Sequence, residues 1–234
     1  MKAHQRIIRE EKGRQVNRPV VPLSLCRVAP ISMAEATTII MEYEWLGSMP
    51  AGAVFAYGLI GPDEEILGTS VFSVPPGSES NALCGDENRD KVICLARGAC
   101  VPWTEKNAPS FQTSQACRMA YRDHGHQIFF GYSDSAAGEI GTIYQACNWL
   151  YIGRPRAGWR YKYTSPAGEM LSSRAVRRRC GGIRWPELEA AGWRRIRDED
   201  KARYVWFEGG KRDRQRLRHE LKYPVLAYPK RVQV

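Results

Sequence analysis

The sequence predicts an α+β (α/β) fold, a mixed and mostly antiparallel central sheet flanked by helices, continued by a basic C-terminal extension. Three observations carry this. Residues 54–60 and 66–72 are apolar runs around Gly61-Pro62-Asp63-Glu64-Glu65, which reads as a hairpin with a five-residue connection. Residues 129–153 run from an apolar strand to Asp134, through a loop of small residues (135–138), into an amphipathic helix containing Tyr144 and Trp149. In that arrangement an α/β fold presents chemistry at the carboxyl end of a strand. Finally, residues 1–150 carry 13 Lys and Arg against 16 Asp and Glu, whereas residues 151–234 carry 22 against 9, so the whole positive excess lies in the last third.

Taken in order, residues 1–18 are polar and charged and read as an arm with little fixed structure. Val20-Val21-Pro22-Leu23 is compatible with a first strand. A helix follows over 31–43, where Ser32 and Glu35 have the spacing of a capping box. After the hairpin, the Pro-, Gly-, Ser- and Asn-rich residues 75–90 form a loop before a strand over 92–101. Asn107-Ala108-Pro109-Ser110 places turn and cap residues at the start of a helix reaching about His124, with Phe111, Ser114, Cys117 and Tyr121 on one face. A strand over 128–133 and a helix over 141–150 complete this unit. Beyond Gly153 come strand-like residues 159–164, a second strand candidate over 204–208, and a basic helix over about 211–221. The expected division is an arm (1–18), a catalytic core (19–164), and a basic nucleic-acid-binding region (165–234) packed on that core and completing it.

Hydrophobic residues make up 43% of the chain, enough for a sizeable core, and no run approaches the eighteen apolar residues of a membrane span. No membrane partner is expected. The N-terminal residues lack the apolar core of a secretory signal. Seven scattered cysteines without a CxxC pair suit reduced thiols in a cytoplasm. Arginine clusters interleaved with Trp185, Trp193, Tyr204 and Trp206 point to a polyanion, most naturally nucleic acid, beside the plainer reading of a solvated surface. Arg174, Arg177, Arg178, Arg179, Arg194, Arg195, Lys211 and Arg212 are the candidate DNA contacts.

Local words add a resemblance. Tyr43-Glu44-Trp45-Leu46-Gly47 with Pro50-Ala51-Gly52, Leu95-Ala96-Arg97, Asn107-Ala108-Pro109-Ser110, Gly131-Tyr132-Ser133-Asp134, residues 141–149, and Tyr228-Pro229-Lys230 together resemble the Mom family of phage proteins. The order of elements is similar to the GNAT N-acetyltransferase fold. The resemblance implies a phage transferase, working in the host cytoplasm, that modifies adenine N6 in double-stranded DNA with a methylcarbamoyl-type (glycinamide-like) group and protects the DNA from restriction. It implies catalytic roles for Arg97, Ser110, Asp134 and Tyr144, an activated donor (a CoA thioester or an aminoacyl-tRNA), and an iron ion in some members. Oligomeric state stays open, a homodimer included. This chain departs from the family pattern in two places: Glu44-Trp45 stands where a histidine–tyrosine pair is expected, and residues 101–110 lack a glycine-rich phosphate loop.

The residue types suit the chemistry. The exocyclic amine of adenine is a weak nucleophile, so positioning and polarisation must supply much of the rate. Asp134 can accept the amine proton and Tyr144 can donate to the leaving group; as plain structure they would be a turn aspartate and a half-buried tyrosine. Arg97 is either an anion binder or half of a structural ion pair, for instance with Asp134, and by strand alternation it shares a face with Leu95 and Ala99. Ser110 is a helix cap or an oxyanion contact. A base inside a duplex must be flipped out to react, and Trp45, Tyr57, Trp103, Tyr132 and Trp149 are the aromatic candidates to hold it, or core residues. The four histidines are too dispersed to define a metal site. Two rival functions remain: an acetyl-CoA-dependent N-acetyltransferase acting on a protein or small amine, and a non-catalytic DNA-binding protein on a transferase scaffold.

Overall fold

The computed structural model describes residues 4–75, 77, 82–154, 161–197 and 201–230. Two compact units emerge, residues 1–153 with 202–234, and residues 154–201. This differs from the expected division at 164/165: the last thirty or so residues return to the first unit, and the basic middle segment stands as its own unit.

The first unit is built on a seven-stranded sheet in the order β1-β2-β3-β4-β5-β10-β6. Its strands are β1 (Arg27–Ile31), β2 (Ala53–Ile60), β3 (Ile66–Ser73), β4 (Val92–Cys100), β5 (Ile128–Ser133), β6 (Leu150–Tyr151) and β10 (Ala202–Phe207). Every neighbouring pair is antiparallel except β4–β5, which is parallel. The mixed, mostly antiparallel sheet flanked by helices is therefore present as expected. The hairpin closes where the turn chemistry put it, with Gly61 N–H bonded to Glu65 O at 2.9 Å.

Helix α2 (Met33–Tyr43) starts with the full capping box, Ser32 Oγ accepting from Glu35 N–H and the Glu35 carboxylate accepting from Ser32 N–H. It buries Ala36, Ile39 and Ile40 against Leu59, Leu67 and Val71. Helix α3 (Ala108–His124) ends on Gly125 at φ 76°, a left-handed cap that glycine adopts without strain. Its buried face is Ala108, Gln112, Thr113, Ala116, Cys117 and Ala120, so of the four residues expected on one face only Cys117 is fully buried. Gln112 belongs inside because both ends of its amide are used, Nε2 donating to Tyr57 O and Oε1 accepting from Cys100 Sγ.

Three further expectations are corrected, and a fourth falls partly outside the described residues. The arm is a helix, α1 (His4–Arg14), docked by polar contacts: Gln5 Nε2 donates to Tyr43 O at 2.6 Å and Arg9 to Thr104 O at 2.7 Å. Residues 20–23 form no strand beyond a single bridge from Val21 to Thr104; the first strand is β1, which pairs at the sheet edge where its Pro30 is tolerated. Helix α4 (Thr142–Ala146) is a short turn and a half, and Asn148 at φ 58° turns the chain directly into β6. Position 159–160 of the expected strand lies outside the described residues, and β7 (Tyr161–Thr164) holds the remainder.

The C-terminal segment completes the first unit. β10 inserts between β5 and β6, and helix α7 (Lys211–Glu220) buries Leu217 in the cluster around Phe130, Val205 and Phe207. The second unit holds a three-stranded antiparallel sheet, β8 (Met170–Ser172), β7 and β9 (Arg194–Arg197), with helices α5 (Ser173–Cys180) and α6 (Trp185–Ala190). Its core is small: Tyr163, Val176 and Leu188, with Tyr161, Leu171, Ile183, Trp185 and Trp193 around them.

Candidate active site

The parallel β4–β5 ladder runs from Val92↔Ile128 to Leu95↔Gly131 and stops there, although β4 continues to Cys100 and β5 to Ser133. The two strands part at their carboxyl ends, and the backbone of β4 beyond Leu95 has no ladder partner on that side. A β-bulge sits at the same point. Val71 pairs with Arg97 while Phe72 pairs with Leu95, so Ala96 is the extra residue. The bulge flips the side-chain phase, putting Leu95 and Arg97 on opposite faces. Strand alternation without the bulge predicts the wrong face.

Arg97 is anchored in that kink. Its NH1 donates to the carbonyl of Ala96 at 2.7 Å, its Nε donates to Ser48 O at 2.8 Å, and its charge lies 3.9 Å from Glu44 Oε2. The Glu44 side chain is 7% exposed and accepts from Leu46 N–H. Arg97 is thus a clamp that ties the bulge to residues 44–48, and its ion partner is Glu44 instead of the expected Asp134. Glu44 was read only as a departure from a family word; here it is a buried carboxylate beside the kink.

Across the gap, Gly131 is the last ladder residue of β5 and the seat of Tyr144. A Cβ at position 131 would lie 2.6 Å from both Cζ and OH of Tyr144, so only glycine lets the ring settle on the strand. Tyr144 stacks on Tyr204 with ring centroids 5.1 Å apart and leans on Trp149 at 4.8 Å. Its hydroxyl lies 3.4 Å from Tyr132 O. The side chain keeps some exposed surface, but burial of the phenol pushes its pKa far up, with the neighbouring Cys94, Cys117, Cys147 and Tyr204 adding to the rise. At neutral pH Tyr144 is therefore a proton or hydrogen-bond donor.

Asp134 ends β5. Its backbone carbonyl accepts from Ala137 and Glu139 N–H, forming the tight turn 135–137. The loop beyond is pinned from several sides: Ser133 Oγ donates to Glu139 O at 2.7 Å, and Tyr204 OH and Gln145 Nε2 both donate to Ile140 O, at 2.6 and 2.7 Å. Gln145 Nε2 also reaches Pro229 O at 3.4 Å, and Tyr228 OH donates to Trp149 O at 2.8 Å. The Tyr228-Pro229-Lys230 word earns its place by strapping the C-terminal segment across α4 and β6. These supporting residues carried no role in the sequence reading, since nothing local shows that positions 204 and 229 return to residue 140.

Ser110 sits in the first turn of α3, where its Oγ donates to Asn107 O at 2.9 Å, and Asn107 makes no side-chain cap. Its carbonyl accepts from Cys147 Sγ at 3.3 Å, which joins the start of α3 to the end of α4. Ala108 N–H is bonded to Glu105 O, Pro109 has no N–H, and Phe111 N–H is bonded to Asn107 O. Ser110 alone in this turn keeps an amide that could meet an anion. Glu105, just before this turn, is occupied elsewhere: its carboxylate accepts from Leu23 N–H at 2.9 Å. A pyrophosphate cradle of several free amides does not fit this turn. Among the described residues no group of three or more His, Cys, Asp or Glu side chains gathers to hold a metal, so an iron ion has no ligand set to fit.

Asp134 thus follows the carboxyl end of β5, Tyr144 rests on Gly131 of that strand, and Ser110 opens α3 against Cys147, while Arg97 ties the kink of β4 to residues 44–48. Three of the five aromatic candidates are not available to grip a base. Tyr57 and Trp149 are 1% exposed, and Trp103 belongs to the core around Ala36 and Val101. Tyr57 instead donates to Asp123 at 3.0 Å. Trp45, edge-on to His4, and Tyr132, edge-on to Phe130, keep exposed surface.

Among the DNA-contact candidates, Arg177, Arg178, Arg179, Arg194, Lys211 and Arg212 are exposed. Arg179 pairs with Glu169 at 2.5 Å. Arg195 has another job, its guanidinium lying 4.5 Å over Tyr161 and 4.2 Å over Trp185. The side chain of Arg174 lies outside the described residues. No helix is long and apolar enough to cross a membrane.

The solved structures similar to this chain are N-acetyltransferases and other acetyltransferases. A Bacillus subtilis acetyltransferase in complex with CoA is 10% identical, covering 79% of this chain and 98% of its own, with a TM-score of 0.40. The ribosomal-protein-S5-alanine acetyltransferase of Vibrio fischeri is 8% identical (78% and 93% covered, TM-score 0.44), and the spermidine N-acetyltransferase of Vibrio cholerae with CoA and spermine 6% (83% and 98%, TM-score 0.44). No curated protein matches. The family is shown by its own model, which matches residues 25–230: the chain belongs to the Mom protein family.

Proposed function

We propose that this protein is a transferase that modifies adenine N6 in double-stranded DNA with a methylcarbamoyl-type group, protecting phage DNA from host restriction. The observation that carries the reading is the parted β4–β5 pair, with a tyrosine whose phenol burial keeps protonated at neutral pH seated on Gly131 and a carboxylate residue at the strand end. The N6 amine attacks the donor carbon, a C–N bond forms, the bond to the leaving group breaks, and one amine proton is lost. Asp134 takes that proton and Tyr144 supplies one to the departing group, so protons balance over the cycle. Trp45 and Tyr132 hold the flipped base. Membership of the Mom family supports the substrate class.

The donor is not bound as acetyl-CoA is. The first turn of α3 offers one amide, Ser110 N–H, which suits a single phosphate or carboxylate better than a pyrophosphate. An aminoacyl-tRNA fits this and the basic surface. Nucleoside mass spectrometry of plasmid DNA co-expressed with the protein is the test. A modified adenine heavier than N6-methyladenine is expected; unmodified nucleosides from well-expressed, folded protein would refute the reading. Calorimetry should show weak or no acetyl-CoA binding, and tight binding would instead favour an ordinary N-acetyltransferase.

A further inference from the structure

The second unit divides its side chains sharply between two faces of one small sheet. The register pairs Tyr163 with Arg195 and Tyr161 with Arg197, and Lys162 with Ile196 and Thr164 with Arg194. Residues directly opposite in an antiparallel pair share a face, and successive residues alternate. Tyr163 is buried with Val176 of α5 and Leu188 of α6, and Arg195 stacks on Tyr161 and Trp185. That face carries the small core, although Arg195 and Arg197 at its β9 end stay exposed. Lys162, Thr164, Arg194 and Ile196 project from the other.

On that second face Lys162 and Thr164 of β7 are half-buried, and the β9 residues are open. Ile196 is 52% exposed and Arg194 is exposed, with no ion-pair or hydrogen-bond partner among the described residues. No acidic residue occurs in β7, β8 or β9, and residues 154–201 carry 13 Lys and Arg against 6 Asp and Glu. The composition of the face is not that of a merely solvated strand. A forked donor (Arg194), an ammonium (Lys162), a hydroxyl (Thr164) and an apolar branch (Ile196) are the side-chain chemistries that meet guanine N7/O6, phosphates, mixed base edges and the thymine methyl. The two strands that carry these residues, β7 and β9, form an antiparallel ribbon of the kind that the major groove, about 12 Å wide, admits.

We infer that the outer face of the β7–β9 ribbon enters the DNA major groove and reads base edges through Arg194 and Ile196. This rests on the DNA-modifying reading above and deepens it: the second unit selects the sequence context in which the first unit acts. Arg195 holds the reading face rigid from behind. Arg177 and Arg178 of α5 contribute charge without sequence information.

The test uses the purified full-length protein. A preferred duplex is selected from a random library, and its affinity is compared with that of a scrambled duplex by fluorescence anisotropy over a salt series. For the native chain a clear preference is expected, and it should collapse when 7-deazapurines remove the N7 acceptors that only the major groove displays. R194Q and I196A should each cut the ratio of preferred to scrambled affinity by about 5- to 100-fold, the range for one lost base contact. R177A/R178A should weaken both duplexes alike and flatten the salt dependence by about two phosphates' worth. Equal affinity of the native chain for both duplexes would overturn the inference. So would equal losses on both duplexes in R194Q, or a hairpin RNA of the same charge outcompeting the duplex. Nucleoside analysis keeps the two readings apart: modified adenine with no binding preference sinks the reader alone, and unmodified adenine with an intact preference sinks the transferase alone.

Discussion

Replacing Gly131 with alanine should damage the site through one contact. The new Cβ would stand 2.6 Å from Cζ and OH of Tyr144 and 2.8 Å from Cε1. Comfortable carbon contacts begin near 3.5 Å, so the ring must retreat by about 1 Å. It has little room, because Tyr204 stacks at 5.1 Å and Trp149 leans in at 4.8 Å. Nor can the strand yield easily, since Gly131 pairs with Leu95 on one side and Tyr204 on the other. Overpacking of this kind costs about 1–3 kcal/mol, a fall of roughly 2–12 °C in Tm for a domain of this size. A 1 Å misplacement of a reacting group costs on the order of 100-fold in rate. Differential scanning calorimetry and quantified adenine modification read the two effects. The decisive variant is G131A combined with Y144A: once the ring is gone, G131A should add almost nothing to the stability loss of Y144A. If G131A costs the same in both backgrounds, the strain lies in the strand and the seating argument is wrong.

Three other outcomes follow from the geometry. Y144F should leave the free energy of unfolding within about 1 kcal/mol of the native chain and abolish modification while leaving DNA binding intact, and S110A, which loses only an exposed hydrogen bond to Asn107 O, should fold normally and also retain DNA binding; loss of DNA binding in Y144F would break this division. The His126 imidazole has its pKa lowered by burial and by the neighbouring His124, so the unfolded chain takes up its proton first and stability falls as pH drops through about 6.5; urea titrations at pH 7.5 and 5.5 should show a smaller drop for H126Q than for the native chain, and an equal drop would dismiss His126 as the cause. R97K keeps the charge beside Glu44 but cannot bond Ala96 O and Ser48 O together, so it should lose activity with modest destabilisation; full activity in R97K would mean the clamp does not shape the site.

The parts of this fold that were legible in the sequence are those whose signals are local. The hairpin between β2 and β3, the capping box of α2 and the strand–Asp134–helix run are each written within a few consecutive residues. What was hidden depended on distant partners. β1 is short, carries Pro30 and is recognisable only once β2 lies beside it. Helix α1 buries no residue and is docked by Gln5 and Arg9 reaching carbonyls near residues 43 and 104, so no apolar stripe announces it. The extra residue Ala96 is an ordinary alanine whose role comes from its pairing partner, and that one residue reverses the face of Arg97. The placing of Tyr144 on Gly131 was not legible either, and aromatic type alone could not separate the buried Tyr57 and Trp149 from the half-buried Trp45.

The place of β10 in the sheet has a consequence for the order in which the protein can become active. Loop 134–141 is held by the hydroxyl of Tyr204 and, through Gln145, by the carbonyl of Pro229. During synthesis at about 5–20 residues per second, some 5–20 seconds separate the emergence of Asp134 from that of Tyr228. Until residues 202–207 emerge, β5 lacks its β10 neighbour, β6 has no strand to pair with and the Tyr204 tether is missing; the Pro229 tether comes later still. Residues 154–201, by contrast, can build their own sheet and core before the last strand exists. A nascent or truncated chain would therefore build the sheet of residues 154–201 before loop 134–141 is tethered. Under the proposed function, modification waits until Pro229 has been made.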